Sequence, residues 1–135
     1  MNQPQALEIS REALSLLEAP SYSLSVLADG KDAFCSDCSV LPILGTHNLL
    51  LLVVANQHPV SSLLHVGDAC NVAISHKSDQ KIDFSGKNCI DRASNGTLYC
   101  AAQTRALICA TIRASIPCGD HSIFLADVTE AKFRQ

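Results

Sequence analysis

Residues 49–55 read Leu-Leu-Leu-Leu-Val-Val-Ala, seven apolar residues without a break, and the turn Asn56-Gln57-His58-Pro59 comes at once behind them. No other segment limits the fold so much. The run is far short of the roughly 20 apolar residues that a membrane-crossing helix needs. Its length and bounding turn signals read as a strand, and its continuity predicts burial on both faces. Such a strand needs partners on either side.

The rest of the chain offers them at short spacing. Residues 24–28 have strand character, and the Asp29-Gly30 dipeptide behind them is a hairpin turn signal. Residues 33–40 mix small, polar and sulfur-bearing side chains, and Pro42 and Gly45 interrupt the stretch between them and the apolar run. Residues 69–75 make another strand. Residues 98–116 hold one or two more, 105–115 being the long one; 117–120 make a turn and 123–132 the last strand. Helices are few. Residues 6–18 are amphipathic, with Ala6, Leu7, Ala13, Leu14 and Leu17 against Glu8, Arg11, Glu12 and Glu18, and Pro20 ends them. Residues 60–66, closed by Gly67, and 78–84, stopped by Gly86, predict two short helices, and the polar stretch 85–97 reads as a mobile loop. Antiparallel strands broken by turns favour a small closed barrel over a doubly wound sheet. No Gly-rich dinucleotide turn is present.

A chain of 135 residues predicts one domain over 1–135. With 47% apolar and 17% charged residues it cannot be a solvated, disordered chain. Its core must be aliphatic, because there is no Trp and only four Phe. Ten basic against 13 acidic residues, a net charge of −3, argue against a nucleic-acid partner. Met1-Asn2-Gln3-Pro4 lacks the basic and apolar character of a secretion signal, so the expectation is a cytoplasmic protein with no membrane span. The apolar excess predicts a homodimer that hides part of this surface. Seven cysteines, an odd number, read as free thiols, most of them buried.

Three places carry candidate chemistry. Gly119-Asp120-His121 sits between two strand-like segments: Gly119 permits a tight turn, Asp120 accepts from turn amides, and His121 presents a titratable ring. On these residues alone, an ordinary turn with an exposed histidine is the simpler reading. In Asn56–Ser62, Pro59 starts a helix whose first turn carries Ser61 and Ser62, so amides and hydroxyls suit a phosphate, with Gln57 and His58 as further donors. A capped surface helix without a ligand is the plain alternative. Cys35-Ser36-Asp37-Cys38 has the spacing of half a zinc site or of a dithiol, but no second matched pair exists, so core or site-lining thiols are the simpler reading. No Ser-His-Asp order or paired carboxylate supports hydrolysis.

The segment Leu107-Ile108-Cys109-Ala110-Thr111-Ile112, with Gly119-Asp120-His121-Ser122-Ile123-Phe124-Leu125-Ala126-Asp127-Val128 after it, resembles the closing half of the flavin reductase-like domains, the FMN-binding split barrels. Arg11-Glu12-Ala13-Leu14 is similar to their opening helix and residues 24–30 to their first hairpin. Residues 49–56 resemble their central strand and turn, and Cys70-Asn71-Val72-Ala73-Ile74 a further strand. The likeness runs over about residues 11–133.

It implies a mainly β split barrel with a few short helices that binds FMN (or FAD) and reduces it with NADH or NADPH. It also implies a homodimer and a partner oxygenase that takes the reduced flavin. It places flavin contacts on Cys35, Ser36, Asp37, Cys38 and Ser39, and ribityl and phosphate contacts on Asn56, Gln57, Ser61 and Ser62. His121 would face the nicotinamide. The chain departs from the pattern where Ala33–Ser39 replaces a Gly-Met-Thr-like stretch and Asp37 would repel a phosphate. Gly45-Thr46-His47 stands where the family carries Asp-Pro-Pro. A flavin or small-ligand binder without turnover, and a zinc or thiol protein built on Cys35 and Cys38, are the alternatives.

Overall fold

The run at 49–55 forms the strand β4 (Leu49–Ala55), but its two faces differ. Leu50, Leu52 and Val54 are buried, whereas Leu49, Leu51, Val53 and Ala55 are only half-buried. The expectation of burial on both faces is therefore corrected to the period-two pattern of a sheet with one face on the core. The computed structural model describes residues 8–15, 22–75, 82, 84 and 90–133.

In chain order the elements are α1 (Arg11–Ser15), β1 (Tyr22–Ala28), β2 (Lys31–Cys35), β3 (Ser39–Ile43), β4, α2 (Pro59–Leu63), β5 (Ala69–Ser75), β6 (Ile90–Arg92), β7 (Leu98–Cys100), β8 (Thr104–Cys118) and β9 (His121–Phe133). Seven strands make one sheet in the order β2-β1-β5-β8-β9-β4-β3, with each neighbouring pair antiparallel. Its two edges, β2 and β3, are consecutive in the chain and joined only by residues 36–38. The sheet is thus curled, with its edges brought together at one short turn and no ladder between them. Tyr22 bridges this seam, its hydroxyl accepting from the Val40 amide at 3.0 Å. The closed barrel expected from the strand spacing is corrected to a split one.

Local rules explain several element ends. Asp29 and Gly30 both have positive φ (55° and 71°), the two-residue type I′ turn that matches the twist of a hairpin. Gly119, at φ 62°, starts the other tight hairpin, between Cys118 and His121. Pro42, expected to interrupt, lies inside β3 opposite Leu50; an edge strand tolerates the missing amide. Ser10 caps α1 by accepting from the Ala13 amide at 3.1 Å. The helix expected over 6–18 is described only in its middle part. The helix over 60–66 starts one residue earlier and ends at Leu63.

The main core fills the inside of the curl, with Leu24, Val26, Leu50, Leu52, Val72, Ile108, Ile112 and Phe124 among its fully buried side chains. A smaller cluster of Ala73, Ile82, Tyr99, Cys100, Leu107 and Cys109 lies on the opposite face of β5 and β8. The hairpin β6–β7 belongs to this second cluster, so the mobile loop expected over 85–97 is corrected for residues 90–97; residues 85–89 lie outside those described. Asn71 on β5 anchors the hairpin, donating to the Thr97 hydroxyl at 2.7 Å and the Leu98 carbonyl at 2.9 Å. The Arg92 guanidinium clasps both carboxylate oxygens of Asp32 at 3.0 and 3.1 Å. The helix expected over 78–84 lies outside the described residues, save for 82 and 84. Among the described residues, no helix is long and apolar enough to cross a membrane.

Candidate functional site

The antiparallel pairing of β4 with β9 sets Ala55 opposite His121. It thereby brings the turn after β4 against the turn between β8 and β9. The join is made by hydrogen bonds from both backbone and side chain. The Asn56 amide donates to the Asp120 carbonyl at 2.9 Å, and Asn56 Nδ2 donates to the Gly119 carbonyl at 3.1 Å. The Ser122 hydroxyl donates to Asn56 Oδ1 at 2.7 Å and accepts from the Ser61 hydroxyl at 3.1 Å. Asn56 is thus the keystone of a chain running Ser61, Ser122, Asn56, Gly119.

In front of this join opens a cleft of about 350 Å³, lined by Ala55, Asn56, Gln57, Asp120 and His121. That volume falls in the range of small-ligand sites. His121 Nδ1 lies 2.7 Å from Asp120 Oδ1. The contact with His121 holds the Asp120 carboxyl below its ordinary range. An ionised carboxylate only accepts, so His121 carries its proton on Nδ1 and leaves Nε2 for a ligand. Among the described residues, the lining contains no Lys or Arg. The Asn56 and Gln57 amides and the His121 ring, beside the Asp120 carboxylate, fit the ring edge and ribityl hydroxyls of a flavin, or a nicotinamide amide, better than they fit a phosphate.

The residues singled out in the sequence separate into three places. Asn56, Gln57 and His121 meet at the cleft, and Ser61 stands behind Asn56. Ser62 donates to the Pro59 carbonyl at 3.1 Å on the exposed side of α2. Cys35, Ser36, Asp37, Cys38 and Ser39 form the seam turn and its flanks and are not among the lining residues; Ser36, Asp37 and Ser39 are exposed and both cysteines are buried. The amides expected to be free at the start of α2 are partly in use. His58 Nδ1 accepts from the Val60 amide at 3.1 Å, and the Ser61 amide donates to the His58 carbonyl at 3.0 Å. Sequence reasoning gave no role to Ser122, although it stands directly behind the Gly-Asp-His motif. Among the described residues, no three His, Cys, Asp or Glu side chains are grouped to hold a metal.

No family model and no curated protein matches the chain. Solved structures do. The NADH:FAD oxidoreductase of Streptomyces globisporus aligns over 98% of this chain and 84% of its own, at 14% identity and a TM-score of 0.64. The flavin reductase component of a bacterial two-component tryptophan halogenase, BorF, aligns over 93% and 89%, at 15% identity and a TM-score of 0.63. A Sinorhizobium meliloti structure aligns over 93% of this chain with a TM-score of 0.66 and 16% identity, and the chain spans about half (48%) of its length. The fold is that of the flavin reductase-like split barrels, as the sequence resemblance implied.

Proposed function

We propose that this chain binds a flavin at the Asn56–His121 cleft and reduces it with NADH or NADPH, working as a homodimer. The observation that carries the reading is the cleft itself, formed where the Gly-Asp-His turn closes on the end of β4 in a fold shared with flavin reductases. When bound, the flavin supplies the redox chemistry by accepting hydride from the nicotinamide. This chain's residues bind and orient. Asn56 holds the two turns in place, and Gln57 offers neutral hydrogen bonds to the flavin. His121, with its tautomer set by Asp120, presents Nε2 to the nicotinamide.

The homodimer reading has a surface to support it. Cross-strand registers line up Leu41, Leu51 and Leu125 in one row and Val53, Ile123 and Ile116 in the next, all on the face turned away from the core. Leu41 is 58% exposed and Ile116 47%. Ala55 and His121 form the adjoining row on the same face, so the apolar surface runs into the cleft. A contiguous exposed apolar patch of this sort favours association, and a second copy seated on it would help to wall the ligand. A partner oxygenase that accepts reduced flavin is part of the same proposal.

Titration of the purified protein with FMN, and then NADH under anaerobic conditions, tests the reading. One flavin bound per subunit and bleached by NADH is the expected result. A second reading, flavin binding without turnover, is favoured by one observation: Asp120 places a carboxylate in the cleft lining, and among the described lining residues there is no Lys or Arg beside it. Saturable binding with no bleaching by either nicotinamide selects it. No binding into the high micromolar range removes both.

A further inference from the structure

The seam turn carries two thiols that the cleft does not use. Cys35 ends β2 and Cys38 precedes β3, with Ser36 and Asp37 exposed between them. Cys38 Sγ lies 3.9 Å from the Cys35 carbonyl oxygen, so its side chain folds back over the turn onto Cys35. The Cys38 carbonyl and the Val40 amide both face the Tyr22 hydroxyl, at 3.5 and 3.0 Å, which holds the β3 end of the turn in place.

The electrostatics of Cys35 are unlike those of the buried thiols Cys70 and Cys109. Burial pushes Cys70 up to about 12 and Cys109 up to about 11, as it does for an inert core thiol. Cys35 goes the other way, lowered to about 6. The neighbouring Cys38 side chain lowers it most, the Asp37 amide lowers it further, and burial opposes them. Cys38 is raised, first by its bond to Cys35 and then by burial. The turn therefore sets a thiol of lowered pKa beside one of raised pKa, the pairing from which a dithiol reacts.

We propose that Cys35 and Cys38 form a reversible dithiol that hydrogen peroxide oxidises, with Cys35 the attacking sulfur and Cys38 the resolving one. The Cys35 thiolate attacks one peroxide oxygen, the O–O bond breaks, and the departing hydroxide takes a proton to become water. Cys35 is then a sulfenic acid. The Cys38 sulfur attacks it, the S–S bond forms as the S–O bond breaks, and the thiol proton leaves with the oxygen as a second water. Two electrons pass from the thiols to the peroxide. A small dithiol restores the reduced pair and becomes a disulfide itself. The oxidant must be small, because Cys35 and Cys38 are only 2% and 7% exposed. The disulfide would pin the end of β2 to the start of β3, at the point where the split sheet closes on itself.

The test treats the full chain at pH 7 with one equivalent of hydrogen peroxide, denatures and alkylates it, and maps the peptides by mass. The expected product is a Cys35–Cys38 disulfide that dithiothreitol removes, with Cys118, an exposed cysteine, still alkylated. Glutathione disulfide, too bulky for the site, should act at least about tenfold more slowly. The Cys38→Ser variant should trap a dimedone adduct on Cys35. If it fails to fold, the wild-type peptide map decides alone. Oxidation of Cys118 while Cys35 and Cys38 stay alkylatable would overturn the proposal, and so would sulfinic acid on Cys35 without a disulfide. Equal rates with peroxide and glutathione disulfide would overturn the claim of a small oxidant.

Discussion

Replacing Asn56 with Ala removes the side chain that ties the turn after β4 to the β8–β9 turn. Two well-placed hydrogen bonds go, to the Gly119 carbonyl and from the Ser122 hydroxyl, along with a weaker approach from Ser61 at 3.4 Å. Each such bond contributes about 0.5–1.5 kcal/mol net, and the exposure of Asn56 puts these near the low end, so the expected loss is about 1–2 kcal/mol. For a chain of this length that corresponds to a fall in melting temperature of roughly 4–8 °C. If flavin binding must first rebuild the join, the FMN dissociation constant weakens by up to roughly tenfold. Thermal unfolding and an FMN titration read the two effects on the same preparation. Asn56→Asp should do no better, because a carboxylate oxygen would then face the Gly119 carbonyl. Ser62→Ala, which removes only the bond to the Pro59 carbonyl on the exposed face of α2, is the control and should leave both values unchanged. An Asn56→Ala protein that melts and titrates like the wild type would refute the keystone role.

His121→Ala should raise the Michaelis constant for the nicotinamide and leave flavin affinity nearly unchanged in steady-state kinetics; collapse of flavin binding would mean the division of the site is wrong. Gly119→Ala should cost about 1–2 kcal/mol in urea unfolding, purely from the left-handed backbone, since an added Cβ meets nothing within 4 Å. On β4 the two faces should behave oppositely. Leu52→Ala, in the core, should cost about 2–5 kcal/mol, whereas Leu51→Glu on the outer face should leave the fold intact and give a monomer by light scattering. The lowered Cys35 value makes a pH prediction. A group depressed in the folded state adds stability that is present above its unfolded value and is lost as pH falls through the folded one. Urea stability should therefore rise between about pH 6 and 9, and less steeply in Cys35→Ala. Alkylation of Cys35 should be half-maximal near pH 6, and Cys38→Ala, which removes the thiol donor, should move that midpoint upward.

Much of the strand order was legible because the signals are local. Asp29-Gly30 and Gly119-Asp120 mark two-residue hairpin turns through backbone preferences that need no tertiary partner. The Leu/Val run at 49–55 could only be a strand. The resemblance carried by the Gly-Asp-His segment led to the correct fold, and the residues alone would have stopped at a small barrel. The stretch 90–97 was misread because its order comes from outside itself: Asn71 and Asp32, distant in sequence, hold the β6–β7 hairpin in place. Ser122 escaped notice because a lone serine says nothing until register sets it beside Asn56.

By itself the sequence determined the strands in the middle of the sheet (β1, β5, β8, β9 and β4), where the tight turns fall, and that the core is aliphatic, since each depends on the properties of adjacent residues. Only the tertiary structure decided that the sheet stays split, with its edges joined by the Cys35–Cys38 turn. It also decided that one face of β4 is left uncovered, and that Asn56 and His121 share a cleft. These depend on which strands pair and in what register, a choice made by the sum of many distant contacts and by no local pattern.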